Sequence, residues 1–186
     1  LIIFDYKAFV KEKTGHFAKY VSRLSVKEGL VDPNIHAMVV TSDSSLWITT
    51  DGGISKWCEN KFTSYFVDEN VSTNSCHSIL EDREGTIWVG TDGGGCFKIP
   101  YQNIFNFTIK DGLSFNVVNA VTGDRHDRIY IGTDNGVECF DGTRMTTITP
   151  RFTPGNTVWS LKSDSRDRLW IGTENNLFEY SHGTLI

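Results

Sequence analysis

Four short stretches of this chain are near-copies of one another. They are Leu46-Trp47-Ile48-Thr49-Thr50-Asp51-Gly52-Gly53, Ile87-Trp88-Val89-Gly90-Thr91-Asp92-Gly93-Gly94, Ile129-Tyr130-Ile131-Gly132-Thr133-Asp134-Asn135-Gly136 and Leu169-Trp170-Ile171-Gly172-Thr173-Glu174-Asn175-Asn176. The aromatic anchors stand at positions 47, 88, 130 and 170, so the steps are 41, 42 and 40 residues. A fixed step near forty specifies a stacked or radial array of equal units. In an array the shared residues build the scaffold, and function falls to the residues that differ between copies.

Each copy has four parts. The first follows an asparagine (Asn34, Asn74, Asn116, Asn156), with an apolar residue five positions on (Val39, Ile79, Val121, Leu161). A turn led by an acid comes next, at Asp43, Asp82, Asp124 and Asp164; Asp and Gly suit tight hairpins. The anchor stretch is the second part, rich in the aromatic and β-branched residues that favour strands. Its glycine (Gly90, Gly132, Gly172) is a poor strand former and marks the close approach of a neighbouring backbone. The third part is Ile54–Trp57, Cys96–Ile99, Val137–Phe140 and Leu177–Tyr180. The fourth is Phe17–Tyr20, Phe62–Tyr65, Phe105–Phe107 and, less clearly, Met145–Ile148. All are short and bounded by turn chemistry, and no window carries a sustained helical period. Four short antiparallel strands per unit of this length specify a propeller blade. The expected fold is therefore all-β: a β-propeller of about four four-stranded antiparallel blades.

Leu1–Phe4 aligns with Val137–Phe140, so the chain is expected to open on a third strand and to close, at Gly183–Ile186, inside a fourth. The division that follows is 1–25 for the outer strands of an incomplete blade, then blades at 26–67, 68–109, 110–149 and 150–186, the last lacking most of its final strand. A blade buries both faces against neighbours. An end face exposing ~500 Å² of apolar surface forgoes on the order of 12 kcal/mol at about 25 cal/mol/Å², as an upper bound, and patches of that size mark interfaces. The favoured expectation is a segment of a larger propeller covered by its remaining blades. Pairing with a second copy of the chain, and closure of a small ring by Leu1–Tyr20, are the alternatives.

Composition narrows the function. Net charge is −5, from 18 basic and 23 acidic side chains mixed along the length, with no basic stripe for nucleic acid. No apolar run reaches the ~18 residues of a membrane span, so no direct membrane contact is expected of this segment. Cys58, Cys76, Cys96 and Cys139 lack CxxC spacing and read as small buried hydrophobes. His16, His36, His77, His126 and His182 show no metal-ligand spacing, and Gly93-Gly94-Gly95 is followed by no helix to cradle a phosphate. No cofactor is expected. The recurring acids sit in turns, where they bond local backbone amides, so no catalytic carboxylate pair is read here. The Asp-box of sialidases places its acid five residues before the Trp. Here Asp82, Asp124 and Asp164 precede their anchors by six and Asp43 by four.

The linked pattern Asn-x-Val-x-x-Ile-x-x-Asp-x-x-Gly-x-x-Trp-Ile-Gly-Thr-x-x-Gly-Leu resembles the two-component regulator propeller repeat. It runs from Asn74 to Gly95, from Asn116 to Val137 and from Asn156 to Leu177, with a shorter first hairpin in the copy from Asn34 to Ile54. That repeat is found in the extracytoplasmic sensor region of hybrid two-component histidine kinases, especially those of gut Bacteroidetes. The resemblance implies a periplasmic, non-enzymatic sensor segment. In such proteins two seven-bladed propellers precede an immunoglobulin-like domain, a membrane helix, a kinase and a response regulator. Their ligands tend to be oligosaccharides.

Propellers set the first strand of each blade around a central channel. Three residues after each asparagine stand Ala37, His77, Asn119 and Trp159. Their diversity marks them as ligand candidates: indole and imidazole suit the apolar face of a sugar, and polar edges suit its hydroxyls. Channel filling is the alternative role. The hairpin tips add Arg83, Arg125 and Arg166, a residue type favoured in recognition of anions and proteins, with solvated tips as the alternative. A protein-interaction or dimerisation platform, and a propeller glycosidase or lyase, remain as other readings.

Overall fold

The computed structural model describes residues 2–4, 21–65, 74–99, 105–149 and 157–186. These residues form one two-stranded and four four-stranded sheets, all antiparallel. Strands β1 (Ile2–Phe4) and β2 (Val21–Arg23) pair with each other. Blade 1 follows as β3 (Ile35–Val40), β4 (Leu46–Thr50), β5 (Gly53–Cys58) and β6 (Lys61–Tyr65). Blade 2 is β7 (Cys76–Glu81), β8 (Ile87–Thr91), β9 (Cys96–Ile99) and β10 (Phe105–Phe107). Blade 3 is β11 (Val118–Gly123), β12 (Ile129–Thr133), β13 (Gly136–Phe140) and β14 (Met145–Thr147). Blade 4 is β15 (Val158–Ser163), β16 (Leu169–Thr173), β17 (Leu177–Ser181) and β18 (Thr184–Leu185). Within each blade the strands pair in sequence order.

The first strands pack side by side, β3 on β7, β7 on β11 and β11 on β15, while no comparable packing returns from β15 to β3. The described residues thus form an open arc of four propeller blades. Phe17–Tyr20, expected as a fourth strand, lies outside the described residues; the partner of Ile2–Phe4 is Val21–Arg23. This pair is a sheet of its own, and the third strand of blade 4 is β17. Among the described residues the helices are short 3-10 turns, and none is long and apolar enough to cross a membrane.

Three apolar joints hold the arc together. Trp47 and Ile54 of blade 1 meet Cys76, Ile87, Val89 and Phe97 of blade 2. Trp88 and Cys96 of blade 2 meet Val118, Ile129, Ile131 and Phe140 of blade 3, and Tyr130, Val137 and Cys139 of blade 3 meet Val158, Leu169 and Ile171 of blade 4. Three cysteines are thus buried in the joints as free thiols, and Cys58 is free and half-buried. The strand glycines serve these contacts. A Cβ at Gly90 would lie 2.4 Å from Val118 Cγ1 and from Ser78 Oγ, and one at Gly132 would lie 2.6 Å from Val158 Cγ1. Where blade 1 carries Thr49, the next blade offers the smaller Cys76 at the position of Val118 and Val158.

The acid-led turn and the aromatic anchor are one unit, which explains their six-residue spacing. Asp82 accepts from the amides of Glu84 and Thr86, and its other oxygen accepts from Trp88 Nε1 at 2.8 Å. Asp124 does the same for His126, Arg128 and Tyr130 Oη, and Asp164 for Arg166, Arg168 and Trp170 Nε1. In blade 1 the leading position is Thr41, whose amide closes the turn on Ser45 as Asp82 closes on Thr86. Trp47 Nε1 donates to Ser45 Oγ instead, and Asp43 accepts from Ser45 and Thr41. Asp43 is therefore a support within the turn rather than its leading residue, hence its spacing of four.

One buried acid stands out. Glu138 on β13 is fully buried, takes a hydrogen bond from Ser114 Oγ, and leaves Oε2 with no partner among the described residues. Burial pushes its carboxyl up to about 7, against the opposing hydrogen bonds from Ser114. A raised carboxyl costs nothing below the unfolded value near 4.5 and costs stability as pH climbs through about 7. Glu138→Gln should match the wild type near pH 4 and exceed it above pH 7 by on the order of 3 kcal/mol in chemical unfolding. Gly90→Ala should lower stability by about 2 kcal/mol in the same assay, because the added methyl has no free space at the joint.

Candidate functional site

Every first strand carries one residue more than the strand it pairs with. The register skips between Ile35 and Ala37, Cys76 and Ser78, Val118 and Ala120, and Val158 and Ser160, while the partner strand advances by one. The four extra residues are His36, His77, Asn119 and Trp159. Such bulges interrupt the ladder and re-aim a side chain. The equivalent of His77 in blade 1 is therefore His36 and not Ala37, because the segment from Asn34 into the strand is one residue shorter there. Ala37 lies in the ladder, its amide bonded to Thr49 Oγ1 at 3.0 Å.

The first three of these residues touch across the blades. The rings of His36 and His77 lie 5.0 Å apart, tilted by 49°. His77 Nδ1 is 3.4 Å from Asn119 Oδ1, and Asn119 Nδ2 donates to Asp134 Oδ1 at 2.9 Å. Asp134 belongs to the turn after the second strand, as does Asp51, whose carboxylate is 2.7 Å from His36 Nε2. Asp51 also accepts from Ser75 Oγ at 2.9 Å and Asn34 Nδ2 at 3.0 Å. His36, then Ser75 and Asn34, hold its carboxyl down at about 2. The row ends on Trp159, 57% exposed. One end of the inner strands thus presents imidazole, imidazole, amide and indole in order, backed by carboxylates.

The arginine candidates lie at the other end, beyond strands of six residues, or about 20 Å away at ~3.3 Å per residue. Arg83 reaches the next blade, donating to the Arg125 carbonyl and standing 3.6 Å from Asp127. Arg125 in turn pairs with Asp167, as does His126 at 3.3 Å. Ser42 makes the corresponding link from blade 1, donating from its amide and hydroxyl to Glu81. Arg83 and Arg125 also line a cavity of about 290 Å³ with Asp82, Asp124 and Asp164. Arg166 is not their equivalent. Counted from the leading acid it matches Glu84 and His126, and Ser165 takes the reaching position in blade 4. The structure therefore brings together His77 and Asn119 at one end, Arg83 and Arg125 at the other, and leaves Arg166 exposed and apart.

Sequence reading missed His36, although a shortened lead-in after Asn34 was visible. It also missed the paired segments Ser25-Val26-Lys27-Glu28-Gly29-Leu30 and Thr108-Ile109-Lys110-Asp111-Gly112-Leu113. Both form a 3-10 turn with a complete capping box and a left-handed glycine, a pattern with a sequence signature.

Residues 70–93 and 154–175 match the family model described as two component regulator propeller, so these two segments are similar to repeats of that type. No curated relative matches the sequence. The fold is similar to the extracellular domain assigned to hybrid two component system BT3049 from B. thetaiotaomicron. That likeness has 20% identity and a TM-score of 0.75, over 89% of this chain and 26% of the other. It is similar also to the extracellular domain assigned to one component system BT4673 from B. thetaiotaomicron, at 21% identity and TM-score 0.73, over 89% and 24%. A virginiamycin B lyase from Staphylococcus aureus shares the fold at 14% identity and TM-score 0.69, over 93% and 64%. This chain spans about a quarter of the length of the two extracellular domains.

Asp51 supplies the acid-side test of the bulge row. Its carboxyl is lower in the folded state than the ordinary 3.8, so its contribution is present above that value and lost as pH falls toward about 2. Asp51→Asn should flatten this limb of a melting-temperature profile, and should weaken the response to any ligand that the row holds.

Proposed function

We propose that the chain is a non-enzymatic, ligand-sensing propeller segment from the extracytoplasmic region of a hybrid two-component sensor histidine kinase, and that it responds to oligosaccharides. The observation that carries this reading is the bulge row. The scaffold positions are nearly the same in all blades, yet the residue that the bulge re-aims changes along the row, from histidine (His36, His77) to Asn119 and Trp159. An exposed indole beside polar side chains suits a sugar, whose ring faces are apolar and whose edges carry hydroxyls. The two-component regulator propeller repeats support a place in a signalling receptor. On this reading the segment is periplasmic, its end blades are covered by the remaining blades of the same propeller, and the kinase lies beyond a membrane span elsewhere in the protein.

A second reading has its own support. Met38 and Val40 on blade 1 are 54% and 70% exposed, and Leu177 on blade 4 is 68% exposed. Apolar side chains at both ends of the arc suit pairing with a second copy, and the segment then serves dimerisation instead of small-ligand binding. A glycosidase or lyase activity is a third possibility. It would need a converging base and acid, whereas Asp82, Asp124 and Asp164 are each engaged by their own turns.

A thermal-shift panel of oligosaccharides separates these readings. A ligand at a hundred times its Kd should stabilise the fold by about 2.7 kcal/mol, and Trp159→Ala should abolish that gain while leaving the ligand-free melting temperature near wild type. Sedimentation without any sugar response favours dimerisation. Product formation in the same mixtures favours the enzyme.

A further inference from the structure

The three joints are built from equivalent positions, and those positions are not filled alike. The residue that pairs with the first position of the anchor strand is Trp57 in blade 1, Ile99 in blade 2, Phe140 in blade 3 and Tyr180 in blade 4. It is aromatic in every blade but the second. At the joint of blades 2 and 3, Phe140 completes a three-ring cluster. Trp88 stacks on Phe107 at 5.7 Å, and Phe140 lies 5.7 Å from Trp88 and 5.0 Å from Phe107. Lys98 caps it, with Nζ 5.3 Å from the Trp88 ring and 5.9 Å from that of Phe140.

The joint of blades 1 and 2 repeats this arrangement with two rings. Trp47 stacks on Tyr65 at 5.2 Å and 18°, and Lys56 Nζ lies 5.2 Å above Trp47. Where the third ring would stand there is Ile99, and a half-open cleft of about 200 Å³ lies between the blades. Trp47, Tyr65 and Ile99 supply its apolar wall; Asp43, Lys56 and Glu81 supply its polar rim. That volume is below the ~300–1,000 Å³ of drug-sized sites, which suits one ring and not an oligomer.

The geometry points to this cleft as a binding site for a single neutral, polyhydroxylated six-membered ring, a monosaccharide unit that takes the place of the missing third aromatic. The rim decides the chemistry. Lys56 is paired with Asp43 at 3.0 Å, and Glu81 accepts from Ser42, so the charges are already engaged within the protein. Spare acceptor capacity remains on Glu81, and spare donors on Lys56, which hydroxyl groups can use without bringing a new charge. The apolar wall covers one face of such a ring, as aromatic side chains do. This site is separate from the bulge row, and its assignment does not rest on the reading proposed for that row.

The test is Ile99→Phe, which fills the gap with the residue that blade 3 uses at the same position. A panel of methyl glycosides, with phenol and indole as aromatic probes, is titrated and read by saturation-transfer NMR. A single ring should bind in the millimolar range. Ile99→Phe should keep or raise the melting temperature and weaken glycoside binding at least tenfold, while any response that depends on Trp159 persists. Lys56→Gln, which leaves the cleft unfilled, should weaken binding several-fold with unchanged far-UV dichroism, and it serves should the Phe variant fail to fold. Saturable binding of no glycoside at tens of millimolar, binding indifferent to both variants, or binding of the aromatic probes alone overturns the proposal.

Discussion

The fold depends on the inability of any one blade to hide its own faces. A four-stranded sheet has two sides. In blades 2 and 3 both sides are apolar: Val89 and Phe97 on one and Trp88 and Cys96 on the other, then Ile131 and Phe140 against Tyr130 and Val137. Each side is buried only by a neighbour. The approach is tightest at the inner strands, where Gly90 and Gly132 leave room for Val118 and Val158. Backbone-close contact along the inner edge, with longer side chains filling the space further out, splays the sheets as a radial array requires. Removing a blade therefore wets two joints, and stability behaves as a sum over neighbours instead of as one core.

The array was legible because its scaffold rule is repeated: aromatic anchor, glycine, acid-led turn, each at a nearly fixed step. The cause of the Asp-to-anchor spacing was not legible, since it is a side-chain hydrogen bond from the indole or phenol back to the turn carboxylate. Once that bond is known, the first copy ceases to be an exception. Ser45 and Asp43 together replace one aspartate, and the spacing shortens. The same limit produced the two register differences in the candidate sites. Counting from Asn34 selects Ala37, but the bulge selects His36, because a bulge is defined by the partner strand and not by distance along the chain. Arg83, Arg125 and Arg166 read as a set from their shared proximity to a turn. Hydrogen bonding shows that Arg83 and Arg125 cross to the next blade, and the turn register puts Arg166 one position further on.

Blades 1 and 3 share features of their own. The capped turns at Val26–Glu28 and Ile109–Asp111 precede blades 1 and 3. Both blades carry a polar residue at one position of the third strand, Ser55 and Glu138, where blades 2 and 4 carry Phe97 and Phe178. The polar residue meets the segment that follows the capped turn: Val31 donates its amide to Ser55 Oγ at 3.0 Å, and Ser114 donates its hydroxyl to Glu138. In blade 1 the residues flanking the turn also cover the outer apolar face, where Leu24 and Leu30 pack on Ile48 and Phe62. The buried Glu138 is thus one solution to the docking of a lead-in segment, and its unpartnered oxygen is the cost of that solution.

Repetition with local departure is also what allows one scaffold to hold distinct surfaces. A position that three of the four blades fill with an aromatic ring is a packing position. A single blade that fills it with an aliphatic side chain, as blade 2 does with Ile99, opens space at one joint without disturbing the others, since each joint is closed by its own two blades. The bulge positions follow the opposite logic. They are spared from packing in all four blades, so each can vary freely, and their neighbours across the arc come from chain segments some forty residues away. A ligand spanning His36, His77, Asn119 and Trp159 would read four copies at once, and its binding would report on the relative position of the blades.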